Sequence, residues 1–565
     1  MHSRGRWGAG GRRAGARRAS LAAAVLVLLA SACTTHTKAN HSPSASGSSP
    51  LPVASSPQPF SLPPVSPVAS APASSPASSP IPVSSPPVSS PPGAVATGVR
   101  GTVVVGGATP ARMSISVSQA LFSAAPTVVV ASPTDAAGVA SGADEAQQLD
   151  VPLLLLDHDG QTPAGGTPTA ALFAAELTRL GTSTVVAIGN TAADVTAAAP
   201  SVSVVGAAAQ TTAATSSDGD DLTVLVPKGV NAASNAVAMM ASASARSAGA
   251  TVVPVEGADP RRDPAAIVAL AEHPPHNVLA VGSQFGTPAT VTARVAVAST
   301  GTQLPGGGQI FFPGRRLVAL YGHPGSGALG VLGAQDLPAS IVRAQQLAAT
   351  YAPMSSVPVI PTFEIIATVA DAAPGSDGNY SGESSVASLL PWVQQATAAG
   401  LYVVLDLQPG SADVLSQAKL YTSLLAMPDV GLAIDPEWAL APGQHPLGQI
   451  GSLTSAQINA VGAWLEQLTA SKHLPQKLLV LHQFRLSMIG NEAALKTNYN
   501  DLAVLIHMDG EGSTPSKIAT WTAVTHAAPK GVPFGWKNFY KEDHPTMTPE
   551  QTMAQKPTPV MISYQ

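Results

Sequence analysis

One short stretch of this sequence has the residue types and spacing of acid–base chemistry: Ile434-Asp435-Pro436-Glu437-Trp438. Residues i and i+2 of a strand point the same way, so strand geometry would turn both carboxyls toward one site. Two like charges in an apolar mouth raise one pKa, and a carboxyl that keeps its proton near neutral pH can protonate a glycosidic oxygen. Trp438 offers a stacking face for a sugar ring. Apolar runs ending in polar or ionisable residues recur through the C-terminal half, at Tyr321 and His323, Glu364, Asp406 and Gln408, His482, His507 and Asp509, and Trp536. Packing does not require that pattern. Glu437 and Asp435 are the candidate catalytic pair, and the other residues, with Trp438, the candidate substrate-binding set. A structural reading stays open beside it, in which the pair bonds loop backbones or a basic neighbour such as Arg485 or Lys537. His482, His507 and Asp509 fit neither a His-x-His nor a His-Glu-x-x-His spacing, so no metal is expected.

These residues need elements to position them. Eight short apolar runs begin at Leu317, Pro358, Leu401, Val430, Leu478, Leu502, Val532 and Pro559, separated by helical stretches such as Leu337 to Thr350, Val386 to Ala399, Ser455 to Ser471 and Thr514 to Thr525. Strands alternating with helices over about 250 residues predict a (β/α)₈ barrel spanning 315–565, with its site at the C-terminal ends of the strands. A Gly-x-Ser-x-Gly nucleophile elbow is absent from this region, which argues against a serine hydrolase.

With its Asp-x-Glu after strand four, the region resembles the glycoside hydrolase barrels of chitinase-like enzymes and muramidases. That resemblance implies Glu437 as general acid/base and Asp435 as the group orienting it or a substrate N-acetyl group. Chitinase-like barrels carry further aspartates upstream, where Val430 and Ala433 stand here.

Upstream, β-branched runs at Thr102, Thr127, Val151, Thr184 and Val202 alternate with Ala-rich helical stretches, and a second series follows at Leu222, Thr251 and Asn277. Continuous apolar strands separated by helices predict a doubly wound, Rossmann-like α/β region over 98–300, in two units, about 98–207 and 221–300. Val130-Ala131-Ser132, the acidic Ala-rich stretch from Asp135, Pro152-LLLLD and Leu177-TRLGTSTVVAIGN resemble the type 2 cell-wall-binding repeat of Gram-positive surface proteins, which implies a wall polymer or glycan as partner. The Gly-containing strand ends Val104-VGGATPA and Ala280-VGSQFG do not form G-x-G-x-x-G, so no cofactor is expected.

The first 32 residues carry six arginines and no acid, then an apolar run from Leu21 to Ala30 and Ser31-Ala32-Cys33, the order of a secretory signal. Small residues before a lone cysteine resemble a bacterial lipobox, which implies a diacylglyceryl anchor on Cys33 and a place at the extracytoplasmic face of the cell membrane. Between Lys38 and Arg100 no residue is charged; this Pro/Ser-rich stretch, within 33–97, reads as a tether reaching on the order of 150 Å.

The whole chain has 565 residues, 45% hydrophobic and only 11% charged, with one cysteine. That leaves several cores to bury and no disulfide framework. Without its first 32 residues the chain keeps 22 basic against 33 acidic side chains, a net of −11, which argues against nucleic acid as a partner. The expectation is an exported, lipid-anchored envelope protein whose barrel acts on a wall or extracellular glycan. The alternative is a non-catalytic glycan-binding surface lipoprotein, and a two-lobed solute-binding lipoprotein is the third class.

Overall fold

The computed structural model describes residues 93–157, 167–207 and 221–565. The arginine-rich leader, Cys33 and the Pro/Ser stretch as far as residue 92 lie outside the described residues. Among those described, no helix is long and apolar enough to cross a membrane.

Two four-stranded parallel sheets make up the N-terminal part. One orders its strands Leu153–Leu155, Thr127–Ala131, Thr184–Ala187 and Ser203–Gly206; the other orders Thr102–Val105, Asn277–Val281, Leu222–Pro227 and Thr251–Val255. The Thr102 strand, grouped by sequence with the first series, pairs instead with the last strand of the second, Thr102 opposite Val278. The chain therefore begins in one sheet, builds the other and returns. Helices Pro110–Leu121, Ala136–Leu149 and Ala232–Ser247 share one apolar core with both sheets. Their small residues allow close approach: Ser244 Oγ accepts from the backbone of Leu153 at 3.1 Å and Ser114 Oγ from Leu155 at 2.9 Å.

Residues 316–564 form a closed eight-stranded parallel barrel, consistent with the (β/α)₈ class. Its strands in chain order are Arg316–Gly322, Val359–Ala370, Tyr402–Leu407, Val430–Ile434, Lys477–His482, Leu502–Met508, Phe534–Asn538 and Met561–Tyr564, and the first pairs with both the second and the last. Helices Leu337–Tyr351, Val386–Ala398, Ser455–Ser471 and Thr514–Ala527 fall where the periodicity places them. Each is started by a side-chain cap, from Asp336, Ser385, Thr454 and Ser513, that takes up an otherwise unpaired N–H. Strand five is followed by 3₁₀ turns, Leu486–Met488 and Glu492–Ala494, in place of a long helix.

Alternation divides the barrel into layers. Inward residues of its lower part, among them Leu317, Val404, Ala433, Val480, Leu505 and Met561, form one apolar cluster with Leu304 and Phe311 of the segment leading into the barrel. Phe311 meets Tyr402 edge-on at 4.9 Å between ring centres. This packed floor makes the C-terminal end the one at which inward side chains turn polar.

Candidate functional site

Seven of the strands, and the residue that follows strand four, contribute a polar inward side chain to one layer above that floor: Tyr321, Glu364, Asp406, Asp435, His482, His507, Lys537 and Ser563, in chain order. Contacts between strands that are not neighbours establish the inward direction. Tyr321 donates its hydroxyl to Asp406 Oδ2 at 2.8 Å, and Gln408 Nε2 donates to the Tyr321 oxygen at 3.3 Å. His482 bridges strands two and six, with Nε2 2.9 Å from Glu364 Oε1 and Nδ1 3.1 Å from Asp509 Oδ2. His507 Nε2 lies 2.7 Å from Ser563 Oγ. Lys537 sets its ammonium 3.5 Å from the centre of the Tyr321 ring, a cation–π contact. Gly535 makes room for His507: a Cβ there would come within 2.0 Å of His507 Nδ1.

Strand four differs from its expected form. It ends at Ile434, and Pro436–Trp438 is a 3₁₀ turn headed by Asp435. Proline has no N–H to continue a ladder and its fixed φ suits the start of a turn. Asp435 still bonds the neighbouring strand through its N–H to Leu407 O at 2.9 Å, and its side chain is 2% exposed. Glu437 stands one turn further out and is half-buried, as is Trp438. The pair therefore occupies two depths of the mouth and does not share one strand face.

Electrostatics separate the carboxyls by role. Burial raises the Asp435 pKa well above the usual carboxylate value, with Glu437 adding to it. Burial, with Asp509 as the next contributor, pushes Glu437 up to about 7, against the opposing pull of Lys537 and His482. Burial also raises Asp406. Burial works against an ionised Glu364 and an ionised Asp509 too, but the His482 ring outweighs it and both lie below their ordinary values. In His482 burial disfavours the charged ring, yet Glu364 and Asp509 lift its pKa well above the ordinary value. With a carboxylate on each ring nitrogen, both nitrogens act as donors and the ring is an imidazolium. Burial drives His507 down to about 3, so it is the neutral histidine of the pair. Four buried oxygens in this layer have no hydrogen-bond partner in the protein: Glu364 Oε2, Asp406 Oδ1, Asp435 Oδ1 and Asp509 Oδ1.

Three sequence-derived site residues stand elsewhere. Trp536 faces outward, packs on Trp521 of the helix Thr514–Ala527 at 5.4 Å between ring centres and donates Nε1–H to Asn538 Oδ1; it is fully buried between barrel wall and helix. Adjacent strand residues face opposite sides, so the inward residue of that strand end is Lys537. His323 lies in the loop after strand one, with Nε2 3.0 Å from Ser384 Oγ. Gln408 is buried next to the layer, its amide oxygen accepting from Ala370 N at 2.9 Å. Lys537, read from the sequence as a strand-end basic neighbour of the acidic pair and left out of the substrate-binding set, stands in the layer, and Ser563 was not read at all, although counting alternate residues from Gly535 and Met561 points to both.

Among the described residues no group of three or more His, Cys, Asp or Glu is arranged to hold a metal ion. Two surface cavities lie away from the mouth. One, of about 510 Å³, lies between the helix Pro288–Ala298 and residues 498–500, and one of about 300 Å³ lies by the ends of strands Thr102–Val105, Leu222–Pro227 and Asn277–Val281. Comparison of the chain with family models, curated proteins and solved structures gave no match.

Proposed function

We propose that this is an exported, lipid-anchored envelope protein whose barrel hydrolyses glycosidic bonds in a wall or extracellular glycan. Its leader and Cys33 provide export and anchoring, the Pro/Ser stretch carries the head away from the membrane, and the paired α/β sheets, Rossmann-like and resembling wall-binding repeats, hold it on the polymer. One observation carries the enzymatic part: Glu437 is a half-buried carboxyl at the barrel mouth whose pKa stands at about 7. A carboxyl of that kind is protonated at neutral pH and reachable, as protonation of a leaving oxygen requires. Asp435, deeper and protonated, orients Glu437 or a substrate amide. The ionised Glu364 and Asp509, held on His482, supply negative charge where an oxocarbenium-like transition state is positive.

A binding-only barrel is the second reading, favoured by the burial of Glu364, Asp406, Asp435 and His482 below the surface. Release of reducing sugar from purified peptidoglycan and from amino-sugar oligomers, by wild type and by Glu437→Gln, separates the two. Cleavage by the wild type that the variant loses supports the glycosidase. Retention on glycan without cleavage supports the binding reading, and equal cleavage by both proteins removes Glu437 as the acid.

A further inference from the structure

We infer that Gly451 is a positioning residue for Glu437, required to be glycine because the backbone of the turn that carries Glu437 fills the place of its side chain. This rests on the glycosidase reading for what Glu437 does; where Glu437 is held follows from the loop after strand four.

Glu437 sits in the single 3₁₀ turn Pro436–Trp438, closed by Trp438 N to Asp435 O at 3.3 Å and Ala439 N to Pro436 O at 3.1 Å. A turn that short fixes the place of a side chain only if the surrounding chain holds it. After the turn the chain makes an excursion over 440–450 and comes back. Leu440 N donates to Gly410 O at 2.7 Å on the way out; on the return Gly451 N donates to Glu437 O at 2.6 Å and Ser452 N to Ala439 O at 3.2 Å. Both ends of the excursion therefore close on the turn itself, in the manner of an Ω-loop. Most of the excursion is exposed, Leu447 by 59%, so the closure at its base, and not packing along its length, holds the turn. Gly451 is buried in that closure, and a Cβ there would lie 2.3 Å from Ala439 O, 2.6 Å from Glu437 O and 2.8 Å from Ala439 N. All three are backbone atoms, which cannot swing aside as the end of a side chain can. An alanine is accommodated only if the turn moves, by roughly 1 Å to restore ordinary contact distances. A displacement of about 1 Å at a reacting group costs on the order of 10²-fold in rate. The same movement loosens the packing that keeps water from the Glu437 carboxyl and gives it its raised pKa, so the carboxyl falls back toward its ordinary value.

The test joins a carbon NMR titration of the glutamate-labelled full chain, followed on the carboxyl resonance that Glu437→Gln removes, to reducing-sugar release from peptidoglycan. Gly451→Ala is expected to move that titration down by about one pH unit and to lower kcat by roughly 10- to 100-fold with little change in KM. Ser452→Pro, at an exposed position, removes the other returning bond of the closure; it is expected to shift both readouts the same way by less, and it carries the test if Gly451→Ala does not fold. Gly333→Ala is the control for a strained loop elsewhere on the barrel, since a Cβ there would lie 2.1 Å from His323 O and 2.7 Å from Ser326 N, in the loop after strand one. It is expected to melt at a lower temperature and to leave the Glu437 titration in place. Unchanged titration and kcat in folded Gly451→Ala, or in Ser452→Pro where that variant carries the test, overturn the inference, as does an equal shift in Gly333→Ala. The two readouts also separate this inference from the function it rests on. A wild type that cleaves nothing refutes the glycosidase, while a titration displaced by Gly451→Ala still places the Glu437 carboxyl under the control of Gly451; cleavage by the wild type with an unmoved titration and kcat in the variant refutes the positioning alone.

Discussion

Both ends of the barrel bury charge, but in opposite ways. At the N-terminal end Lys477 donates to the carbonyls of Met427 and Val430 at 2.6 and 2.9 Å, and Arg315 donates to those of Gly307 and Ile310 at 2.6 and 3.2 Å. Burial pushes Lys477 down to about 7 and Arg315 to about 10, and it raises Asp429, which faces both cations, to about 6. At the C-terminal end the excess is acidic, the histidine is clamped between two carboxylates, and four carboxyl oxygens lack partners. The contrast shows that a perturbed pKa does not by itself mark a working site. Lys477 is as perturbed as Glu437, yet its donors are taken up by carbonyls of the turn that leads into strand four, which is what a structural charge needs. Buried polar atoms without partners occur at both ends, Arg315 Nε and Asp429 Oδ1 among them; what sets the C-terminal end apart is carboxyl gathered on carboxyl around a reachable acid, the arrangement expected of a working site.

If that distinction holds, mutation separates the two ends. Glu437→Gln is expected to lower glycan cleavage by roughly 10²- to 10⁴-fold, the range for loss of a general acid, with an unchanged circular dichroism spectrum. Lys477→Ala should do the reverse: cleavage near wild type in the folded protein, but stability lower by about 2–3 kcal/mol in denaturant melts, because the carbonyls of Met427 and Val430 lose their donor.

A third test follows from His482. Its folded pKa is raised, so the stability it contributes is complete below the unfolded value of about 6.5 and is lost as pH rises through the folded value, at about 1.4 kcal/mol per pH unit. His482→Asn should flatten that alkaline decline in melts taken at successive pH values; an equally steep decline in the variant would remove the imidazolium from the account. The smallest expected effect belongs to Glu437 itself. Its raised pKa costs stability above about pH 4.5, a cost that grows up to about pH 7 and is constant beyond. Discounted for its partial exposure, Glu437→Gln should therefore be more stable than wild type at pH 8 by on the order of 1 kcal/mol. A variant that is inactive and more stable is the signature of a site held at the expense of the fold.

The barrel was legible in the sequence because each strand is a short apolar run bounded by capped helices, and all eight starting points read from residues Leu317 to Pro559 correspond to strands. Much of the mouth was legible for the same reason: Asp406, Asp435, His482 and His507 lie at or next to the ends of apolar runs and converge, whereas Glu364, read as a strand end, stands inside the strand Val359–Ala370, which runs on past it. What escaped depends on parity and on partner choice. Trp536 and Lys537 are neighbours, and an aromatic draws attention to the wrong face; only the packing of Trp536 on Trp521 decides it. The turn at Pro436 breaks the i, i+2 rule within the most suggestive motif. In the N-terminal part the strands themselves were readable, but the pairing of the Thr102 strand with the Asn277 strand was not. Sheet order is set by which helices pack together, and local hydrophobic pattern carries no record of it.

The most direct test of the central claim, that the acidic C-terminal layer keeps a reachable carboxyl protonated near neutrality, is a carbon NMR titration of glutamate-labelled protein, wild type beside Glu437→Gln. The account predicts one carboxyl resonance titrating near pH 7 in the wild type and missing from the variant. Every glutamate titrating between about pH 4 and 5, with no resonance near 7 lost in the variant, would contradict it.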